Sequence, residues 1–219
     1  MNLLAIYYGE FNEIEQLYSR FHPGKMKLKI VVDVDDRIDD ARETFLNLYR
    51  HATRLLPTLS QHSCCEEWEA APLYLTREQG VSIKRLGETA DFPHLLEHLI
   101  VDLQCLLSGM NTCSGVTCGW KKPETRFDLF IECDDPRIGV FAACFGTHLI
   151  NNYLAGNPGE DDMGLILDLA QMIGQYPETR EAVQSLAQSL SETIETINRG
   201  IQLLAELNFF SKPLGERDD

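Results

Sequence analysis

Hydrophobic residues follow two different periods along the first two thirds of this chain. The stretches MKLKIVVDVDD (26–36) and RFDLFIEC (126–133) have the β-branched residues or the alternation typical of strands. After residue 36, apolar residues instead recur every three or four positions, which predicts an amphipathic helix that Pro57 ends. Its apolar positions are Ile38, Ala41, Phe45, Leu48, Ala52 and Leu55. Two short stretches, 71–76 and 80–86, resemble strands or turns.

Two further helices are predicted in this part of the chain, at 92–107 and 136–156. The first is apolar over most of its surface and stops near Ser108-Gly109, a pair typical of helix C-termini. The second begins at Pro136 and ends at Gly156. Together with the strands, these helices indicate an α+β fold, with a small mixed sheet flanked by helices.

A helical extension is predicted after the polar stretch NPGEDD (157–162). Residues 163–175 and 178–207 both have helical periods, and the second is close to a heptad repeat. Its apolar positions are Val183, Leu186, Leu190, Ile194, Ile197, Ile201 and Leu204. Two explanations fit this seam: packing on the chain's own domain, or a homodimer through the C-terminal helix.

The elements divide the chain into three regions. Residues 26–156 make the α+β domain, and residues 157–219 make the helical C-terminal extension. Residues 1–25 are an N-terminal extension that begins strand-like or helical and ends at the turn signal HPGK. An alternative interpretation makes Met26 the start of translation, with residues 1–25 outside the protein.

The charge balance is strongly acidic and limits the partners of the chain. Lys and Arg total 19 and Asp and Glu total 34, for a net charge of −15. This disfavours nucleic acids and anionic membranes, whereas a cationic or zwitterionic substrate fits. The seven cysteines include no CxxC pair, and their odd number argues against a disulfide framework. Without a signal peptide or an apolar stretch of about 18 residues, the sequence predicts a cytoplasmic protein.

The most informative motif is H-x-x-E-H in the helix predicted at 92–107. His94 and His98 are four residues apart, so both imidazoles project from the same face and suit one zinc ion. Glu97 leans over the same site and is placed to take a proton from water, as in proteins with the inverted zincin order. The plainer interpretation is an ordinary core helix whose histidines bind carbonyl groups.

A catalytic zinc needs a third protein ligand, which local spacing does not define. Asp102 shares the face but lies too far along a straight helix, so we expect it to be a hydrogen-bond partner of His98. Cys113 and Cys118, on the loop expected after the helix, are alternatives. Glu132, on the strand at 126–133, is the preferred ligand; its plainer interpretation is a solvated carboxylate.

Three stretches resemble the N-terminal domain of cyanophycin synthetases. They are LLPTLSQHSC (55–64), LGETADFPHLLEHLIVDLQCLLSGM (86–110) and FDLFIECDDPRIGVFAACFGTHLI (127–150). The family has a Leu-Pro stretch ending in His-x-Cys, an H-x-x-E-H helix with a trailing acidic-Leu-Gln, and a strand glutamate before an Ala-rich helix. The resemblance covers roughly residues 27–155. The 219 residues hold no counterpart of the family's two synthetase domains.

The resemblance implies a substrate and roles for the site residues. The family's domain engages the Asp–Arg polymer, and in some members it is similar to a zinc peptidase that cuts the polymer into primers. For this chain it implies metal binding by His94 and His98, with Glu97 as general base, and it places Glu132 at the strand glutamate. A basic loop of the family corresponds to CGWKK (118–122), although Trp120 replaces a basic residue.

Two functions are therefore expected from the sequence. The first is a zinc-dependent hydrolase of peptide or isopeptide bonds, with Lys121 and Lys122 binding a substrate carboxylate; otherwise these lysines form a solvated loop. The second is a non-catalytic module that binds a peptide or polymer and dimerises through 178–207. Replacing Glu97 by Gln separates them, because hydrolysis would vanish while binding survives.

Overall fold

A computed structural model describes residues 1–34, 41–62, 91–157, 160–175 and 181–209. Its elements in chain order are β1 (Asn2–Gly9), α1 (Asn12–Leu17), β2 (Lys27–Asp33), α2 (Ala41–Leu55), a 3-10 helix (Pro57–Gln61), α3 (Asp91–Ser108), β3 (Gly115–Gly119), β4 (Arg126–Glu132), α4 (Pro136–Leu154), α5 (Glu160–Gln175), α6 (Glu181–Leu190) and α7 (Ile194–Glu206). The predicted α+β class with a helical C-terminal region is confirmed. The stretches 71–76 and 80–86, together with Ile38, lie outside the described residues.

The four strands form one sheet in the order β1-β2-β4-β3. Every pairing among them is antiparallel, so the expectation of a mixed sheet was wrong in this detail. Strands β1 and β2 follow each other along the chain, as do β3 and β4. In each pair the second strand turns back beside the first instead of crossing over, which makes the pair antiparallel. The hydrophobic pattern was correct, because Leu28, Ile30 and Val32 of β2 point into the core.

The core lies between the sheet and the helices α3 and α4. Two glycines on α4 let this helix approach β2 and α3 closely. A Cβ at Gly139 would meet Leu28 Cδ1 at 2.4 Å, and one at Gly146 would meet Leu96 Cδ1 at 2.7 Å. These contacts fix α4 on the sheet and α3 on α4, and thereby help to set the position of the H-x-x-E-H motif.

The N-terminal residues contribute to the sheet. Strand β1 pairs along β2 from Asn2 to Gly9, and the predicted turn at 22–25 is present, with Gly24 at φ 71°. The ammonium of Lys27 is fully buried, where it donates to the Glu15 carboxylate and to the carbonyl of Lys25. Lys27 thereby ties the segment before β2 to the first residue of that strand.

The prediction of one long helix over 178–207 was wrong in one respect, because this region is divided into α6 and α7. Ser191 adopts the left-handed φ of 57°, and the Glu192 N–H closes the turn on the Ala187 carbonyl at 2.9 Å. Thr193 then caps α7 by accepting the Thr196 N–H at 3.1 Å. The apolar period runs across this break, so the pattern alone could not reveal it.

The apolar seam of α6 and α7 packs within the chain. Leu186, Ile197 and Leu204 are buried members of the main core, whereas Ile194 is half exposed. Packing on the chain's own domain therefore accounts for the buried seam positions. None of the described helices is long and apolar enough to cross a membrane.

Candidate metal centre

The H-x-x-E-H motif occupies the first turns of α3. Phe92 is buried at the start of the helix and meets Phe45 of α2 edge to face, with ring centroids 5.6 Å apart. This anchor fixes the turn on which His94, Glu97 and His98 face the same side. One nitrogen or oxygen atom from each of the three lies within 4.8 Å of the others. The helix therefore brings together the two histidines and the glutamate that the sequence singled out.

The two imidazoles are spaced as ligands of one ion would be. The Nε2 atoms of His94 and His98 are 3.0 Å apart. Two nitrogens bound tetrahedrally to one zinc at its usual bond length are separated by about 3.3 Å. A shift of a few tenths of an ångström would thus admit the ion, and two imidazoles beside a carboxylate are a donor set that zinc accepts. The residues present fit the metal.

A hydrogen-bonded chain extends from His98 to the 3-10 helix. His98 Nδ1 is 2.9 Å from Nδ1 of His62, and His62 Nε2 is 2.7 Å from Oδ1 of Asp102. The other carboxylate oxygen of Asp102 accepts the Thr58 hydroxyl at 2.7 Å. Asp102 thus supports His98 through His62, by a route that the sequence did not predict.

This chain determines which nitrogen of His98 carries a lone pair. Because a carboxylate only accepts, Nε2–H of His62 donates to Asp102. When His62 is neutral, its Nδ1 has a lone pair, which accepts the Nδ1–H of His98. Nε2 of His98 is left with its lone pair facing His94, as metal ligation requires.

Burial favours the neutral form of both candidate ligands. Burial, together with the smaller effects of His94 and His62, lowers the pKa of His98 to about 3. The pKa of His94 is lowered too, mainly by burial and then by His62. Neutral imidazole is the form that binds metals, so the site is prepared for a cation over the physiological range.

Glu97 lies between α3 and β3 in a position suited to proton transfer. Its Oε2 accepts the Thr117 hydroxyl at 2.5 Å, and its Oε1 packs on Gly115, where a Cβ would approach to 2.7 Å. Burial raises the pKa of Glu97 to about 7, against the opposing effect of the Thr117 hydrogen bond. A carboxyl group with this pKa can both take and release a proton near neutral pH.

The three motif residues open onto a cleft of about 460 Å³. His62 and Gly115 line it from the side of the fold, and Tyr18 and Arg20 line it from the segment after α1. This volume is within the range of ligand-binding clefts and can hold a short stretch of peptide.

The preferred third ligand, Glu132, has other partners. Its side chain is fully buried, where Oε1 accepts the His22 backbone N–H at 2.6 Å and lies 3.0 Å from His22 Nδ1. Its Oε2 accepts the Ser114 N–H at 3.1 Å. The structure groups Glu97, and not Glu132, with the two histidines, so ligation by Glu132 stays a prediction.

The remaining predicted residues lie around the site or away from it. Lys121 and Lys122 are exposed in the turn between β3 and β4 and do not line the cleft. Cys113 lines the cleft and directs its thiol to the Glu132 carbonyl at 3.2 Å. Cys118 was expected in a loop, which was wrong: it belongs to β3, where alternation turns it away from Thr117 and Glu97.

Sequence reasoning did not select His62, Thr117 or Gly115. His62 stands in the His-x-Cys stretch that carried part of the family resemblance, and this was the one signal that could have identified it. Thr117 and Gly115 sit on a five-residue strand whose apolar pattern is too short to recognise.

A comparison with known protein families identifies a match. Residues 29–155, more than half of the chain, match the family model described as the cyanophycin synthase-like N-terminal domain. No curated protein matches the chain. The matched region begins within β2 and ends just after α4, and it includes every residue of the candidate metal centre.

Proposed function

Because the chain belongs to the family of cyanophycin synthase-like N-terminal domains, we propose that it is a zinc-dependent hydrolase of peptide or isopeptide bonds. The observation that carries the proposal is the 3.0 Å approach of the Nε2 atoms of His94 and His98, with the buried carboxyl group of Glu97 beside them. A cyanophycin-like Asp–Arg polymer is the first substrate to test, on the strength of the family.

His94 and His98 would hold the zinc, with Glu132 as the predicted third ligand. The zinc would supply a Lewis acid that activates water and stabilises negative charge on a carbonyl oxygen. Glu97 takes the proton of the attacking water on a carboxylate oxygen and delivers it to the departing amine. Thr117 orients that carboxylate through its hydroxyl. His62 and Asp102 would keep the Nε2 lone pair of His98 available to the ion.

The test begins with metal content. Protein purified without chelator is compared with the His94→Ala/His98→Ala double variant, and about one zinc per chain should be present in the first and lost in the second. Hydrolysis of cyanophycin and of short Asp–Arg isopeptides is then followed by amine release in the wild type and in Glu97→Gln. The proposal fails if the wild type binds no zinc, or if Glu97→Gln hydrolyses as fast as the wild type.

A second function is a metal-free module that binds the polymer without cutting it. It is favoured by the fact that 3.0 Å between the Nε2 atoms also fits an ordinary N–H···N hydrogen bond. In this case the wild type binds cyanophycin with zinc absent, and the double histidine variant binds it equally well.

A further inference from the structure

We propose that Arg20 binds a free carboxylate of the substrate next to the bond that is cut, an inference that rests on the proposed hydrolase function. Arg20 lines the cleft that holds His94, Glu97 and His98. It comes from the segment between α1 and β2, which precedes the matched family region. The proposal therefore assigns a substrate-recognising side chain to a part of the chain that the family comparison does not reach.

The backbone around Arg20 is fixed against the sheet. The Arg20 carbonyl accepts the Ser114 hydroxyl at 3.1 Å, and two residues later the His22 N–H donates to the buried Glu132 carboxylate at 2.6 Å. Between them, Phe21 is buried. These contacts place the Arg20 backbone at the cleft before any ligand arrives, so little backbone freedom would be lost when a ligand binds.

The guanidinium of Arg20 has no ion pair or hydrogen bond within the described part of the chain. This contrasts with Lys25, Lys27 and Lys29, the next three cations along the sequence, each of which is paired with a carboxylate. Among the described cleft residues, Arg20 is also the one Arg or Lys. The chain as a whole has a net charge of −15, so a guanidinium at a cleft without a carboxylate partner among the described residues is unusual here.

Arginine is well suited to the partner that we infer. Its planar guanidinium donates two parallel hydrogen bonds to one carboxylate, which gives both affinity and orientation. A cleft of about 460 Å³ leaves room for only a short piece of peptide between Arg20 and the motif histidines. The favoured substrate thus carries its carboxylate within about one residue of the scissile amide.

The experiment uses two probes that differ only in charge. They are β-aspartyl-arginine with its amino group acetylated and its aspartyl α-carboxyl group blocked as an amide, carrying either a free arginine carboxylate or a carboxamide in its place. Binding to the full-length, zinc-loaded Glu97→Gln protein is measured by calorimetry, so that hydrolysis does not interfere. We expect the free acid to bind about tenfold or more tightly than the amide, in line with a charge-assisted bidentate contact.

Replacing Arg20 by Ala in the same background should remove this difference and leave the affinity for the amide unchanged. Arg20→Lys should retain part of the preference, because it keeps the charge but not the bidentate geometry. The matched control is Lys121→Ala/Lys122→Ala, which should keep the full preference. The inference is overturned if neither probe binds, or if the preference survives in Arg20→Ala.

The same measurements distinguish failure of the hydrolase proposal from failure of the inference about Arg20. If the wild type hydrolyses neither probe but the free acid is preferred and Arg20→Ala abolishes the preference, the inference holds and the hydrolase proposal fails. If the wild type cuts both probes with equal kcat/KM, the hydrolase proposal holds and the inference fails.

Discussion

Three polar residues outside the H-x-x-E-H motif determine what its second histidine can do. His98 receives its orientation from His62, which is 36 residues away along the chain, and His62 is in turn held by Asp102 and Thr58. None of these supporting groups needs to touch a metal to affect its binding, because each fixes the proton on the next.

The first prediction concerns His62. His62→Ala removes the acceptor for Nδ1–H of His98, so the ring is free to rotate or to change tautomer. Zinc affinity should fall about 10- to 100-fold, as is typical when the partner of a ligating histidine is lost. Competition with a zinc-binding dye measures the affinity, and ¹⁵N shifts of the metal-free protein report the His98 tautomer. His148→Ala, on α4, is the control; an unchanged affinity in His62→Ala would contradict the assigned chain.

The second prediction follows from the pKa of Glu97. Its value of about 7 in the folded protein lies above that of an unfolded glutamate. The folded state therefore binds this proton more tightly, and the associated stability is lost as pH rises through about 7. Relative to Glu97→Gln, metal-free wild type should lose about 2–3 kcal/mol of unfolding free energy between pH 5 and pH 8.

Urea unfolding of both proteins in the presence of a chelator measures this difference. The lowered pKa values of His94 and His98 also change stability with pH, but they are present in both proteins and cancel in the comparison. A difference that does not vary with pH would mean that Glu97 is not held in a dry environment.

Among individual site residues, the sequence predicted the arrangement of those that share one helix and little about those on other elements. The i, i+4 spacing of His94 and His98 predicted their common face, since that follows from helix geometry alone. His62 and Thr117 reach the site from other elements, and contacts between distant segments are not encoded in local spacing. Glu132 shows the same limit: its strand was predicted, but not that His22 would occupy its carboxylate.

At the scale of elements, the close packing of α3 on β3 controls the position of Glu97. Gly115 opens β3 directly against this side chain, and a Cβ there would lie 2.7 Å from Oε1 and 2.9 Å from Cγ of Glu97. Glycine at this position is required by the close approach of helix and strand rather than by backbone strain.

The third prediction is that Gly115→Ala disables the site without unfolding the protein. The added methyl group would push the carboxylate away from its place beside the histidines, and a misplacement of about 1 Å can cost about 100-fold in rate. Zinc content should be unchanged, because His94 and His98 are not displaced. Gly164→Ala in α5, where a Cβ would meet nothing within 4 Å, is the matched control. Full activity in Gly115→Ala would contradict the packing.

The helices and strands were largely predictable where the apolar pattern extends over many residues. Strands β2 and β4 and the helices α2, α3 and α4 were expected within a few residues of their bounds, because each buries one face or is buried all round. The break at Ser191 was not, since a left-handed residue can interrupt a helix without disturbing the apolar spacing on either side.

At the scale of the whole molecule, the C-terminal helices and the sheet domain share one core. Met163 and Leu169 of α5 and Leu204 of α7 belong to the same buried cluster as the residues of α3 and α4. Gly200 of α7 packs so closely on α5 that a Cβ would meet Leu169 Cδ1 at 2.2 Å. The C-terminal region is thus part of the packing that supports the cleft.

The fourth prediction separates this packing from a dimer seam. Ile197→Asp places a charge in the core and should lower the unfolding free energy by several kcal/mol, in line with the cost of burying an unpaired charge. Ile194→Asp, at a half-exposed position of the same seam, should change it by less than about 0.5 kcal/mol. Light scattering and thermal unfolding are measured for both. A dimer that Ile194→Asp dissociates would instead assign the seam to a second copy.

The sheet order has a practical consequence for shortening the chain. The family match begins at residue 29, inside β2 (Lys27–Asp33), and β1 covers the outer side of that strand. A fragment trimmed to 29–155 would leave the backbone of β2, the most buried strand of the sheet, open to pairing between molecules. It would aggregate rather than report on catalysis, so any minimal active fragment should retain the strand that the family match omits.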